Sequence, residues 1–186
     1  MNRSASLLMA AVLALAAGLG AADKKGHLDP YVQGPADETG LIQEVRHHLV
    51  MLPRYGVFDD IGFNVAGGVV TLEGQVAQPV LKDDAGNVVR RIEGVKNVIN
   101  DIEVLPLSPN DDLIRRDIFR AIYGDSSLGM KYGYSAVPSI HIIVKNGNVR
   151  LEGVVDSQFD RTIAGTRANA VPGAFQVVND LKVAGK

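Results

Sequence analysis

Basic and aromatic side chains gather in one stretch of this chain. Arg115, Arg116 and Arg120 lie at helical spacing opposite a row of isoleucines, and Lys131, Tyr132 and Tyr134 follow within a short segment. Arginine pairs well with phosphate oxygens, and tyrosine sits well at a lipid–water boundary. Together these six residues could hold an anionic membrane surface or an acidic partner. Each exposed cation near an anionic bilayer contributes about 1 kcal/mol, so such a patch gives weak, salt-sensitive adhesion rather than anchoring. The alternative reading is an ordinary solvated helix face beside a packed loop.

Other reactive residue types do not converge. There is no cysteine, which removes thiol catalysis, disulfides and lipidation of an N-terminal cysteine. His47 and His48 are adjacent on a helical stretch, so they point about 100° apart and cannot readily share a metal. His141 falls on the strand face opposite Ile140 and Ile142. A zinc site needs three or four converging ligands, and no spacing offers them. Asp83-Asp84 and Asp111-Asp112 read as acids at helix starts, favoured by the helix dipole. The expectation is a non-enzymatic protein with no cofactor and no metal.

The elements that must position the basic and aromatic residues are used twice. Gly68-Val69-Val70-Thr71-Leu72-Glu73-Gly74-Gln75-Val76 returns 79 residues later as Gly147-Asn148-Val149-Arg150-Leu151-Glu152-Gly153-Val154-Val155. Val98-Ile99-Asn100-Asp101-Ile102 returns at the same offset as Val177-Val178-Asn179-Asp180-Leu181. A repeat of this kind sets the architecture before any single motif does.

In each copy the periodicity predicts helix, strand, strand, helix, strand. Ile42, Val45, Leu49 and Leu52 share a helix face, with Thr39 as a possible cap. Ile61, Phe63 and Val65 alternate, Gly67-Gly68 turns, and Val70, Leu72, Gly74 and Val76 point one way on the return strand. Leu81, Ala85, Val89 and Ile92 return to helical spacing, and Gly94 stops that helix. Val98 to Val104 forms the last strand. In the second copy Ser108-Pro109-Asn110-Asp111 starts a helix lined by Ile114, Ile118 and Ile122. Asn146-Gly147 turns the hairpin, and Pro172-Gly173 ends the second helix. A hairpin followed by a strand–helix–strand crossover favours a mixed sheet. The expected fold class is α+β: two repeated αββαβ modules, each a three-stranded mixed sheet with two helices on one face. The opposite face is open to solvent or to the other module.

The ends divide the chain further. Residues 1–22 read as a secretory signal peptide, with Arg3 before the apolar run Leu7 to Leu19 and cleavage after Ala22. Residues 23–36 mix glycine, proline and charge and read as a flexible segment. The modules then span 37–106 and 107–186. The first carries 11 acidic and 6 basic side chains, and residues 108–186 carry 8 acidic and 10 basic. Neither is basic enough for nucleic acid. The copies differ most at 124–135, a glycine-rich stretch that holds the seven residues by which the second copy is longer and that the pattern leaves as a loop.

Gly74 and Gly153 sit in mid-strand on the inward side. They imply a helix crossing closely or a bulge in the strand. Asn100 and Asn179 share inward parity with valine and leucine, so they should pin a neighbouring turn or strand edge through hydrogen bonds. Glu73 and Glu152 fall on the outward face and read as solvated, with module-to-module contact the other possibility.

The repeated string Gly-x-Val-x-Leu-x-Gly-x-Val, at Gly68–Val76 and Gly147–Val155, resembles the hairpin signature of the BON domain of bacterial exported proteins. The second string, Ile92-x-Gly94-Val95-x-x-Val98-x-Asn100-x-Ile102 and its copy Val171 to Leu181, resembles that family's closing helix and strand. The resemblance implies an αββαβ fold, a periplasmic location and no enzymatic activity. It also implies binding of anionic phospholipid or of envelope proteins, in peripheral membrane contact at most. The family roles it implies are envelope maintenance, or chaperone and adaptor work under stress. It further implies lipid contact by the first helix of a second module. The insertion at 124–135 departs from the family pattern.

Overall fold

The computed structural model describes residues 32–33 and 38–185. The expected signal peptide at 1–22 and most of the 23–36 segment lie outside the described residues. Within that segment Val32–Gln33 forms a two-residue strand, β1, paired in parallel with Phe63 and Asn64.

The first module continues with α1 (Thr39–Val50), β2 (Asp60–Ala66), β3 (Val69–Val76), α2 (Pro79–Val89), β4 (Asn97–Asn100) and β5 (Glu103–Val104). β2 and β3 form the antiparallel hairpin. β4 and β5 both run parallel to β3 and are the two halves of the single strand expected from Val98 to Val104. The second module has α3 (Pro109–Tyr123), α4 (Ser126–Tyr132), β6 (Ile140–Lys145), β7 (Asn148–Val155), α5 (Gln158–Asn169), β8 (Gln176–Asn179) and β9 (Lys182–Val183). Its hairpin β6–β7 and its parallel partners β8 and β9 repeat the first sheet. The expected mixed sheets are present. α4 is an addition: the insertion read as a loop folds into two turns of helix.

Each module closes its own core. Val45, Leu49, Phe63, Leu72, Leu81 and Ala85 are buried in the first, and Ile114, Ile118, Leu128, Ile142, Leu151 and Ala164 in the second. These are the residues that the two periodicities place inward. Apolar burial of this kind, at roughly 25 cal/mol per Å², is the main force available to a chain without disulfides.

The repeated polar residues have repeated jobs. Asn100 donates from Nδ2 to the Lys82 carbonyl at 2.8 Å, and Asn179 donates to the Arg161 carbonyl at 2.7 Å. Each asparagine thus ties the closing strand to the second helix. Each needs a glycine above it. A Cβ on Gly86 would sit 2.8 Å from the Asn100 amide, and one on Gly165 would sit 2.6 Å from that of Asn179. The pairing of a helical glycine with a strand asparagine is invisible in either element alone.

Gly74 and Gly153 have φ of 112° and 114°. Their close neighbours are backbone carbonyls of the adjacent strand region, Asp60 and Ser139, rather than a helix. Of the two expected causes, a close helix or a bulge in the strand, the helix crossing is therefore corrected to a strand-to-strand approach. The starts of the first helices also differ from expectation in one copy. Ser108 caps α3 by accepting from the Asp111 amide at 3.2 Å. Thr39 is instead the first residue of α1, and the capping position is Glu38, without a side-chain cap.

Glu38 and Asp111 do something else. Glu38 accepts from the Gly68 amide at 3.0 Å. Asp111, 1% exposed, accepts from the Asn146 and Gly147 amides at 2.8 Å each. Both carboxylates hold the turn of their module's hairpin against the first helix. The reading of Asp111 as a helix-start acid is true of its place and misses this second role.

The modules exchange apolar residues from equivalent loops. Val57 and Phe58 of the first pack against the second core, and Val137 of the second packs against the first. The Ile142 amide donates to the Val57 carbonyl at 2.7 Å, so the free edge of β6 is partly covered. The open face of the second sheet is covered where His141, Ile143 and Glu152 lie, all 4% exposed or less. Glu152 is therefore buried, contrary to the solvated reading, whereas Glu73 remains exposed.

Candidate functional site

The six basic and aromatic candidates separate into two groups. Arg115 is 4% exposed. Its guanidinium donates to the Val144 carbonyl at 2.6 Å and to Asp112 Oδ1 at 2.5 Å, which ties α3 to the end of β6. Tyr132 is 1% exposed. Its hydroxyl donates to Asp160 Oδ2 at 2.9 Å and accepts from the Asp156 amide at 2.9 Å. Burial raises the phenol pKa further above its ordinary value. Both residues are structural, and expecting them at a binding surface is corrected by this burial.

The other four face outward. Arg116 is exposed. The Arg120 side chain is 72% exposed and holds Asp117 at 2.8 Å, an exposed pair of small energetic consequence. Lys131 leans over Asp160, with Nζ 3.0 Å from both carboxylate oxygens, and stays half exposed. Tyr134 is 86% exposed.

Two apolar neighbours complete this surface. Met130 is 72% exposed, and Phe119 is 37% exposed. Phe119 stands 4.9 Å from the Tyr123 ring and 6.2 Å from Phe58 of the first module, centroid to centroid. Phe119, Tyr123, Met130 and Tyr134 line a shallow depression of about 590 Å³ with Arg120 on its rim. Tyr123 cannot turn out of it freely, because its hydroxyl donates to the Ile140 carbonyl at 2.6 Å. Phe119 follows Ile118, so a helical wheel puts it off the buried stripe. A large apolar residue there is the one local signal that could have pointed to it.

The turn between α3 and α4 is rigidly built. Asp125 caps α4 by accepting from the Ser127 and Leu128 amides, and it also receives Arg167 at 2.8 Å. Hydrogen bonds from Ser127 and the pair with Arg167 hold its carboxyl well below the usual range. Leu128 and Tyr132 fasten the inner side of α4 to the core, while Met130 and Tyr134 point away. Among the described residues no group of His, Cys, Asp and Glu is placed to hold a metal.

Comparison with known proteins decides the family. The family model described as the BON domain matches residues 37–106 and again 110–185. This chain belongs to the BON domain family. The tandem BON chain is 31% identical over 132 residues to osmotically-inducible protein Y of Escherichia coli (strain K12). That match takes in 66% of the chain and 61% of the relative, so the BON chain spans under two thirds of the relative's length. Two solved structures of CdsD, a structural protein of the type III secretion system of Chlamydia trachomatis, align with 14% and 15% identity. They take in 78% of the BON chain and 98% and 94% of their own, at TM-scores of 0.28 and 0.27. Overlays that loose carry no argument here. The BON hairpin signatures are the strings around Gly74 and Gly153, which the fold explains completely. The outward surface of α3 and α4 lies outside them.

Proposed function

We propose that this tandem BON protein is a non-enzymatic envelope-maintenance protein of the periplasm, exported by its apolar leader, that binds anionic phospholipid surfaces through its second module. The observation that carries this reading is the exposed patch of Met130 and Tyr134 beside the exposed arginines of α3. Arg116 and Arg120 reach headgroup phosphates, Lys131 adds positive charge beside them while it stays on Asp160, and Met130, Tyr134 and Phe119 sit in the interface. This is a peripheral arrangement. Among the described residues no helix is long and apolar enough to cross a membrane. The relative's name, osmotically-inducible, fits a role when the envelope is stressed.

Flotation with vesicles of phosphatidylglycerol and neutral phosphatidylcholine tests the proposal. The whole chain is expected to float with the anionic vesicles and to detach as salt rises. The double variant Arg116→Glu/Arg120→Glu should reduce partitioning about tenfold or more, from roughly 1 kcal/mol per cation. Met130→Ser/Tyr134→Ser should weaken binding at high salt as well. Equal binding to neutral vesicles, or binding indifferent to both double variants, would remove this surface from consideration. Arg115 and Tyr132 are left intact because the fold uses them.

A second reading is a stress chaperone or protein-binding adaptor. Phe159 at 68%, Phe175 at 81% and Leu107 at 94% exposed place apolar side chains on other faces of the molecule. Suppressed aggregation of an unfolded envelope protein, without vesicle flotation, would favour it.

A further inference from the structure

The two modules bring acidic side chains together where they meet. Glu152 on β7 is 1% exposed, and Asp60 at the start of β2 is 7% exposed. They come from different modules and carry the same sign when ionised, and Asp60 lines a small void together with Arg150, the residue that reaches Glu152. One Glu152 oxygen, Oε1, lies 3.5 Å from Arg150. The other, Oε2, is buried without a hydrogen-bond partner. A buried carboxylate in that state is expensive, whereas a neutral carboxyl is tolerated.

The surrounding charges do not neutralise it fully. Arg150 shares itself with Asp180 at 4.0 Å. Glu73 on β3 lines, with Asp60 and Arg150, a void of about 180 Å³, so the junction is not close-packed there. His141 on β6 is the cross-strand neighbour of Glu152, and its ring stacks on Tyr55 of the first module at 5.7 Å. Asp59, before β2, is buried and accepts from the Ala77 and Gly56 amides. Lys145 at the end of β6 is engaged with Glu103 at 2.5 Å, and Arg115 is engaged with Asp112 and the Val144 carbonyl.

We propose that the junction between the modules is a proton-operated latch, closed while Glu152 is protonated and loosened when Glu152 ionises. Burial, then Asp60 and Asp180, push the Glu152 carboxyl up to about 7. The folded value exceeds the ordinary 4.5. The contact is therefore fully held below that ordinary value and weakens as pH rises through about 7. Loosening exposes the open face of the second sheet at His141, Ile143 and Glu152, a surface the closed form hides.

The absence of native cysteine makes the test direct. Cysteines introduced as Glu93→Cys and Ala170→Cys, one exposed position per module, carry a fluorescent pair on the full chain. Energy transfer is expected to change between about pH 6 and about pH 8.5, with a midpoint near that of Glu152. Glu152→Gln should hold the closed value throughout. Asp60→Asn, which keeps Glu152 but removes its neighbour's charge, lets the closed junction tolerate ionised Glu152, so it should shrink the change in energy transfer, and it covers the case in which Glu152→Gln folds poorly. His141→Gln should leave the transition in place. A pH-independent signal in the parent, a transition surviving in Glu152→Gln, an undiminished transition in Asp60→Asn, or a transition lost only in His141→Gln would each overturn the latch.

Discussion

Replacing Gly153 by alanine should unfold the second module, or leave it folded only at low temperature. The residue sits in the middle of β7 at φ 114°, a region that side chains with a Cβ rarely adopt. A Cβ there would overlap the Ser139 carbonyl oxygen, which belongs to backbone and cannot rotate away. The Val154 amide donates to that same carbonyl at 3.2 Å, so moving it breaks a hydrogen bond as well. Forced backbone strain and overpacking together make roughly 4 kcal/mol or more. That is a large share of the stability of a domain this size, which is about 5–15 kcal/mol. Gly74→Ala should act alike on the first module, where the Asp60 carbonyl takes the place of Ser139. Thermal melting followed by circular dichroism reads both. A shift of only a degree or two for either variant would show that the strand can relax, and that close approach is not why glycine stands there.

Asp160→Ala is expected to be the second most damaging change. Asp160 is fully buried at the start of α5. Its carboxylate receives the Ser157 hydroxyl at 2.8 Å, the Tyr132 hydroxyl at 2.9 Å and the Lys131 ammonium at 3.0 Å. Alanine removes the acceptor for all three and leaves the Tyr132 hydroxyl proton buried without that partner. Losing charge-assisted bonds inside the protein amounts to roughly 3 kcal/mol, or about 10 °C in melting temperature for a chain of this length. The residue also carries a pH signature. Burial pushes its pKa up, but the bonds from Ser157, Lys131 and Tyr132 outweigh this and hold it below 3.8. The stabilisation is therefore present above that ordinary value and is lost as pH falls through the lower, folded one. Melting curves from neutral to acid pH should show the parent losing stability faster than Asp160→Ala. Parallel curves would mean that the carboxylate is not what acid removes.

Asp160 also separates the two meanings of the insertion. Tyr132 and Lys131 look alike in sequence as members of a basic, aromatic run. One is sunk into the module and the other covers the carboxylate below it. The same insertion displays Met130 and Tyr134. A seven-residue helix has an inner and an outer side, so α4 serves both as a structural fastening through Leu128 and Tyr132 and as an exposed surface. Glycines at 124, 129 and 133 made the segment read as a loop. In the structure Gly129 and Gly133 lie within or just after α4, where backbone carbonyls of Tyr123 and Gly129 approach too closely for a Cβ.

Residue spacing was sufficient for the αββαβ order, both hairpins and nearly every core position. Those features follow from periods of 2 and 3.6 and from turn residues, all local in the chain. The roles of Asn100 and Asn179 were legible in kind, because inward asparagines must be hydrogen-bonded. Their glycine partners were not, since Gly86 and Gly165 lie 14 residues away and meet them only across the helix–sheet layer. Glu73 and Glu152 set the limit most clearly. They occupy equivalent places in identical Leu-Glu-Gly strings, yet one is solvated and the other buried. Local sequence dictates the side of the strand on which each glutamate stands. Only the docking of one module on the other decides which of those sides meets water, because burial and the charge it permits depend on what lies across the junction.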